Sequence, residues 1–199
     1  KSDPETFQTC TDTIIRQVGD IGRMVDEFSA FARMPEPSFA QENLTEICQQ
    51  SVFLERNRTA DIEINFESPE QDIQMNCDRS QIAQALTNLI KNATESVSEK
   101  ISKKAMNVIA GQVNIRLEHE VISNDQRITI LIEDNGIGLP DRGRERLIEP
   151  YVTNRDKGTG LGLAIVKKIV EDHNGNLILK NNKTGGALIS MIFNSDETN

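Results

Sequence analysis

The chain predicts an α+β fold, a two-layer sandwich in which a mixed sheet carries helices on one face, preceded by one long N-terminal helix. Three observations predict it. Apolar residues keep a heptad spacing through the first 34 residues and stop at two prolines; beyond them helical and alternating patterns interchange; most alternating stretches are neighbours across short turns, as in antiparallel hairpins. A doubly wound sheet would separate its strands by helices.

The opening helix is predicted over residues 2–34. Ser2 or Asp3 caps it, Pro4 fits its first turn, Glu5 takes the capping-box position, and Pro35 and Pro37 end it. Phe7, Ile14, Val18, Ile21, Val25, Phe28 and Ala32, with Thr11 in the one gap, alternate steps of four and three residues, the seam of a bundle or coiled coil. A helix lying on its own domain is the alternative, and usually shows a wider apolar stripe. Residues 35–38 read as a short stiff hinge between a helical segment at 1–34 and a domain at 39–199. In that domain the patterns predict helix 43–57, strands 61–67 and 73–77, helix 79–98, strands 112–122 and 126–133, helix 160–173, and strands 176–182 and 186–193. Hairpin turns fall at 123–125 and 181–185. The basic segment 98–111 is a loop or short helix without chemistry, and the charged, Gly-containing stretch 140–158 has the length of a mobile lid.

A length of 199 residues supports one well-cored domain with an appendage. The net charge of -9 repels phosphate backbones and anionic lipid, which excludes a nucleic-acid partner and membrane contact by this segment. Cys10, Cys48 and Cys77 are odd in number and far apart, as unpaired thiols of a reducing, cytoplasmic compartment are. No apolar run nears the roughly 18 to 20 residues of a membrane span, and no signal peptide opens the chain. Lys1 is not an initiator Met, so the segment fits inside a longer, inner-membrane-anchored parent.

Three stretches carry the chemistry. Asn88 and Asn92 lie one helical turn apart on an otherwise apolar helix face, where a poor helix former needs a reason. Their amide oxygens suit Mg²⁺, which takes most of its charged partners from phosphates; alone, they also read as ordinary exposed polar positions. Lys91 and Glu95 reach the same region or remain solvated. Asp134 follows a strand and precedes the Gly136-Ile137-Gly138 turn, where a carboxylate accepts from the exocyclic amine of adenine; Asp-Asn-Gly is also a common plain turn. Gly158-Thr159-Gly160-Leu161-Gly162 opens a helix whose free N–H groups and dipole favour polyphosphate. It is neither a Walker A loop nor a Rossmann fingerprint. Arg155 and Lys157 read as phosphate contacts or as lid-solubilising charges. His119 and His173 have no metal or nucleophile partner at useful spacing and read as structural.

In order, Asn88-Leu-Ile-Lys-Asn-Ala93, Asp134-Asn-Gly-Ile-Gly138, Leu147-Ile-Glu-Pro-Tyr-Val-Thr153 and Gly158-Thr-Gly-Leu-Gly-Leu163 resemble the N, G1, F and G2 boxes of sensor histidine kinases. The resemblance spans residues 39–193, and the F and G2 wording is most similar to nitrogen-regulation sensor kinases of the NtrY type. It implies the sandwich shared by histidine kinases, gyrase, Hsp90 and mismatch-repair ATPases. By position it makes Asn92 the Mg²⁺ ligand, Asn88 its support, Asp134 the adenine acceptor and Arg155 a phosphate contact, with the glycines of both loops passing the nucleotide. Residues 1–34 then resemble the second helix of a dimerisation hairpin. Two departures stand out: Ile148, Tyr151 and Val152 replace the F-box aromatics, and Glu95 stands where many members have Lys.

The phosphoacceptor His of such kinases sits on the first dimerisation helix, and nothing here matches it. The resemblance places it upstream of Lys1, so the implied partners are ATP or ADP, that acceptor helix, a second copy in the full-length homodimer and an NtrX-like response regulator. Alone, the segment is expected not to autophosphorylate. A water-using ATPase of the gyrase or chaperone type carries a Glu four residues before the metal Asn, where this chain has Asn88. The intact Gly loops count against a non-catalytic, nucleotide-gated module.

Overall fold

A computed structural model describes residues 4–59, 61–103, 110–122, 125–141, 143–152, 159–183 and 185–196. The first helix, α1 (Pro4–Ala32), ends two residues before the expected boundary, ahead of Pro35. The expected caps Ser2 and Asp3 lie outside the described residues. Its seam is uncovered: Phe7, Ile14, Val18 and Ile21 are each about 60% exposed. Phe31, near its end, and Met34, just past it, pack on the core. Towards the C-terminal end of the seam, the Phe28 ring lies 6.0 Å from that of Tyr151.

After the hinge come β1 (Ala40–Asn43), α2 (Leu44–Arg56), β2 (Ile62–Glu67), β3 (Gln74–Cys77), α3 (Arg79–Lys103), β4 (Gly111–Ile122), β5 (Asp125–Asp134), α4 (Gly162–Asp172), β6 (Gly175–Asn181) and β7 (Ala187–Asp196). A 3₁₀ turn, Arg144–Ile148, lies in the expected lid. Five strands form one sheet in the order β2-β4-β5-β7-β6. β2 and β4 run parallel, and every other neighbour is antiparallel. The two expected hairpins, β4-β5 and β6-β7, are both present.

Two expectations need correction. β2 and β3, neighbours in sequence, do not pair; β3 instead forms a two-stranded ribbon with β1, a strand the sequence did not predict. The cause is local: the Ile73 carbonyl accepts from Leu44 N–H at 2.9 Å and its N–H donates to Thr45 Oγ1 at 3.1 Å, which ties the start of β3 to α2. The basic segment after residue 98 is helical to Lys103, and residues 104–109 lie outside the described residues.

Alternation builds the two layers. Val113, Ile115 and Leu117 of β4, Ile128, Ile130 and Ile132 of β5, and Ile189, Met191 and Phe193 of β7 point inward at every second position and are buried. They meet Ile47 and Val52 of α2, Leu86, Leu89 and Ile90 of α3, and Val166 and Ile169 of α4 in one core. The intervening positions Gln112, Arg116 and Arg127 are exposed, so among the described residues no helix covers the other face there. α2 starts on an Asn43 cap to Glu46 N–H, and α3 on an Asp78 cap to Ser80 and Gln81 N–H.

Candidate nucleotide site

The sheet ends β5 at Asp134 beside the middle of α3. Asp134 is 5% exposed, and its Oδ1 accepts from Gly136 N–H at 2.8 Å and from the Ser96 hydroxyl at 3.4 Å. Ser96 Oγ in turn accepts from Ile137 N–H at 3.1 Å. Lys100 Nζ donates to the Asn135 carbonyl. Asn88, Asn92, Ser96 and Lys100 thus form a polar stripe, four residues apart, along the site side of α3.

The glycines of the turn answer to close packing. A Cβ on Gly136 would stand 2.2 Å from Ser96 Oγ and 2.6 Å from the Ser96 carbonyl carbon, so the turn touches the backbone of α3. Gly138 has φ 78°, where a side chain is strained. From the far side, Asn182 Nδ2 donates to the Asp134 carbonyl at 2.9 Å and to Glu133 Oε1 at 3.1 Å. Asn181 exchanges two hydrogen bonds with the backbone of Leu139, at 2.7 and 3.0 Å. The end of β5 is thus held from both sides, the Asp134 carboxylate by Ser96 of α3 and its backbone carbonyl by Asn182 of the β6-β7 hairpin.

Asn88 and Asn92 are half-buried, and Asn88 Nδ2 is buried without a partner among the described residues. A Cβ on Gly162 would lie 3.7 Å from Asn92 Nδ2, so the amide stands against the first turn of α4. Leu161, at the N-cap of α4, offers no side-chain cap to the helix N–H groups. Its side chain is fully buried, so only its backbone faces the site. Thr159 Oγ1 accepts from Leu161 N–H at 3.4 Å, and Gly160, at φ 72°, lies against the Tyr151-Val152 backbone. Lys91 is exposed. Arg155, Lys157 and Gly158 lie outside the described residues.

The donor set fits a hard divalent ion that keeps water and phosphate ligands: the Asn92 amide stands at the first turn of a helix whose N-cap residue has no polar side chain. Among the described residues no cluster of three or more His, Cys, Asp or Glu side chains could hold a metal alone.

Residues 77–197, which contain all three site segments, match the family of Histidine kinase-, DNA gyrase B-, and HSP90-like ATPases. The chain belongs to that family. Within it the chain is a histidine-kinase ATP-binding catalytic domain of NtrY-like type. It is 47% identical over 98% of its length to the nitrogen regulation protein NtrY of Azorhizobium caulinodans, and spans 24% of that protein. Its fold is similar to that of the mycobacterial sensor histidine kinase MprB, with a TM-score of 0.65 and 25% identity over 79% of this chain and 97% of that one. It is also similar to the histidine kinase ThkA solved in complex with the response regulator TrrA, with a TM-score of 0.66 and 24% identity over 100% of this chain and 53% of that one.

In this histidine-kinase domain, Asn88, Asn92, Asp134, Gly136, Gly138 and residues 159–162 come together around one edge of α3. Sequence reasoning missed Ser96, Asn181, Asn182 and Gly186. Gly186, at φ 100°, carries its backbone so close that a Cβ would stand 2.0 Å from the Asp134 carbonyl oxygen. The repeat of polar residues at 88, 92, 96 and 100 was a readable signal for Ser96. The Gly185-Gly186 pair, placed half in a turn and half in a strand, was a signal for close approach. Among the described residues no helix is long and apolar enough to cross a membrane.

Proposed function

We propose that this pocket binds Mg²⁺·ATP for transfer of the γ-phosphoryl group to a histidine on a helix upstream of Lys1, for relay to a response regulator. The observation that carries it is the amide of Asn92 set against the N-terminus of α4, with a buried carboxylate further along the same helix stripe.

Asp134, held by Gly136 N–H and Ser96, aims its acceptor at the exocyclic amine of adenine, and Gly136 and Gly138 shape the turn beside the base. The N–H groups of residues 160–162 take the phosphates, with Thr159, Arg155, Lys157 and Gly158 completing the loop. Asn92 would hold Mg²⁺, with Asn88 and Lys91 supporting the phosphate side; the bound ion would supply neutralisation of the phosphate charge. The chain's own residues orient the triphosphate, and in phosphoryl transfer positioning and charge stabilisation do most of the work. Asn88, standing where a water-activating Glu would be, removes the base of an ATPase and leaves the γ-phosphate for a protein acceptor.

Residues 1–34 serve as one helix of a dimerisation and acceptor hairpin, with 39–199 as the catalytic domain. The uncovered seam of α1 fits a second copy in a homodimer, and the ThkA complex supports a response regulator as the next acceptor. The segment acts on the cytoplasmic side of a membrane-anchored parent.

The test is binding of a non-hydrolysable ATP analogue with and without Mg²⁺, followed by phosphorylation of a separate fragment bearing the upstream helix. Asp134→Ala should lose analogue affinity and Asn92→Ala should abolish transfer. Unchanged affinity in the first variant removes Asp134 as the base contact; full transfer in the second removes Asn92 as the metal ligand.

A further inference from the structure

The stretch between α1 and the domain is fastened through Asp78 and its neighbours. Ser38 N–H donates to Asp78 Oδ2 at 2.8 Å, while Oδ1 caps α3. Gln81, buried in the first turn of α3, donates its amide to the Pro35 carbonyl at 3.0 Å. Its Oε1 is buried without a partner among the described residues, so this contact is kept at a cost in stability. Phe39, just past the hinge, packs on the His173 ring at 5.1 Å between centroids.

His173 closes the network from the other side. Asp78 N–H donates to His173 Nε2 at 3.0 Å, and His173 Nδ1 lies 2.8 Å from the Ile169 carbonyl oxygen. A backbone N–H only donates and a carbonyl only accepts, so the two partners fix one tautomer, with the proton on Nδ1. His173 sits at the C-terminal cap of α4, whose opposite end opens the phosphate loop. An 11-residue helix is about 16 Å long at 1.5 Å per residue. One rigid element thus joins the phosphate loop to the hinge.

We propose that His173 and Asp78 are positioning residues for phosphoryl transfer: they fix the hinge against α4 and so hold α1, which leads toward the acceptor, in one direction relative to the bound triphosphate. The inference rests on the phosphotransfer reading above. Because His173 lies a helix length from the nucleotide, its loss slows transfer and leaves nucleotide affinity in place. A residue that only stabilised the domain would lower both.

The test uses the chain extended upstream to include the acceptor helix. In His173→Leu the acceptor for Asp78 N–H is gone, and kcat for phosphorylation should fall at least about fivefold, the scale of one hydrogen bond lost in a buried setting. KM and analogue Kd should stay within about twofold, and His173→Gln, which restores an acceptor, should recover most of the rate. Spin labels on Cys10, exposed on α1, and on Lys180→Cys, diluted with unlabelled protein, should give a narrow distance distribution that broadens in His173→Leu. Unchanged kcat and distances overturn the proposal, as does a loss of affinity equal to the loss of kcat. Gln81→Met removes only the Pro35 contact and should broaden the same distribution; if His173→Leu does not fold, an unchanged distribution in Gln81→Met overturns the proposal. If the unmodified extended chain transfers no phosphoryl group, the phosphotransfer reading fails, and the distances alone decide whether the hinge is fixed.

Discussion

Replacing Gly136 by Ala should unseat the base end of the pocket. The new methyl would stand 2.2 Å from Ser96 Oγ, 2.6 Å from the Ser96 carbonyl carbon and 2.7 Å from Val97 N. The hydroxyl can rotate away; the backbone of α3, anchored in the core by Leu89, Ile90, Ala93 and Val97, cannot. Restoring ordinary contact from 2.6 Å requires the turn to withdraw by roughly 0.8 Å, which stretches the bonds that cross to α3, from Ile137 N–H to Ser96 and from Ser96 to Asp134, beyond useful length. Two hydrogen bonds at about 1 kcal/mol each, added to an overpacking strain of the same order, put the destabilisation at about 2 to 4 kcal/mol. Denaturant unfolding measures that loss, and titration with a fluorescent ATP analogue should show affinity down by about tenfold or more. The double variant Gly136→Ala, Ser96→Ala distinguishes the cause: it removes the hydroxyl clash but leaves the backbone clash, so stability should not return. A single variant within about 0.5 kcal/mol of the parent, or a double variant restored to it, refutes the packing argument.

Two further outcomes follow from the same structure. Burial pushes the Cys48 thiol up to about 12 and the Cys77 thiol to about 11, the latter helped by the Glu42 and Asp78 charges. A thiol reagent at neutral pH should therefore titrate Cys10 alone in the native protein and all three in denaturant; native modification of two or three thiols contradicts the burial. Burial also opposes the charge of Asp78, but the N–H groups of Ser38, Gln81 and Ser80 outweigh it and hold its carboxyl below the ordinary carboxylate range. A folded value below the unfolded value of about 3.9 gives stability that is present above that pH and lost as pH falls through the folded value. Stability should drop below about pH 4, less steeply in Asp78→Asn; identical acid limbs by circular dichroism count against it.

The layers of the fold were legible because their signals are periodic. Val113, Ile115 and Leu117, or Ile128, Ile130 and Ile132, alternate over enough residues to mark a half-buried strand without knowledge of its partner. Asn88 and Asn92 stood out because two poor helix formers interrupt an apolar face. Pairing across long separations was not legible: β2 joins β4 because α3 intervenes and packs beneath both, and no local pattern in Ile62–Glu67 encodes that. β1 escaped because Ala-Gln-Glu-Asn has neither alternation nor β-branched residues; it is a strand only because Gln74–Cys77 lies beside it. The support of Asp134 by Asn182 and Gly186 was illegible for the same reason, since both belong to a hairpin whose position next to Asp134 exists only once β5 and β7 have paired.

That pairing gives the pocket a dependence on the whole chain. Its segments at 88–92, 134–138 and 159–162 sit on an internal helix, the end of a central strand and the start of a late helix, and the hairpin that holds the Asp134 backbone comes later still. No partial fold contains the pocket, so nucleotide recognises only the finished domain. A ligand of that kind adds stability by mass action, about 2.7 kcal/mol at a hundredfold excess over Kd. On the proposed function, ATP is therefore also a folding ligand for this domain: when nucleotide is depleted, the same sequence is a less stable protein, more open to proteolysis.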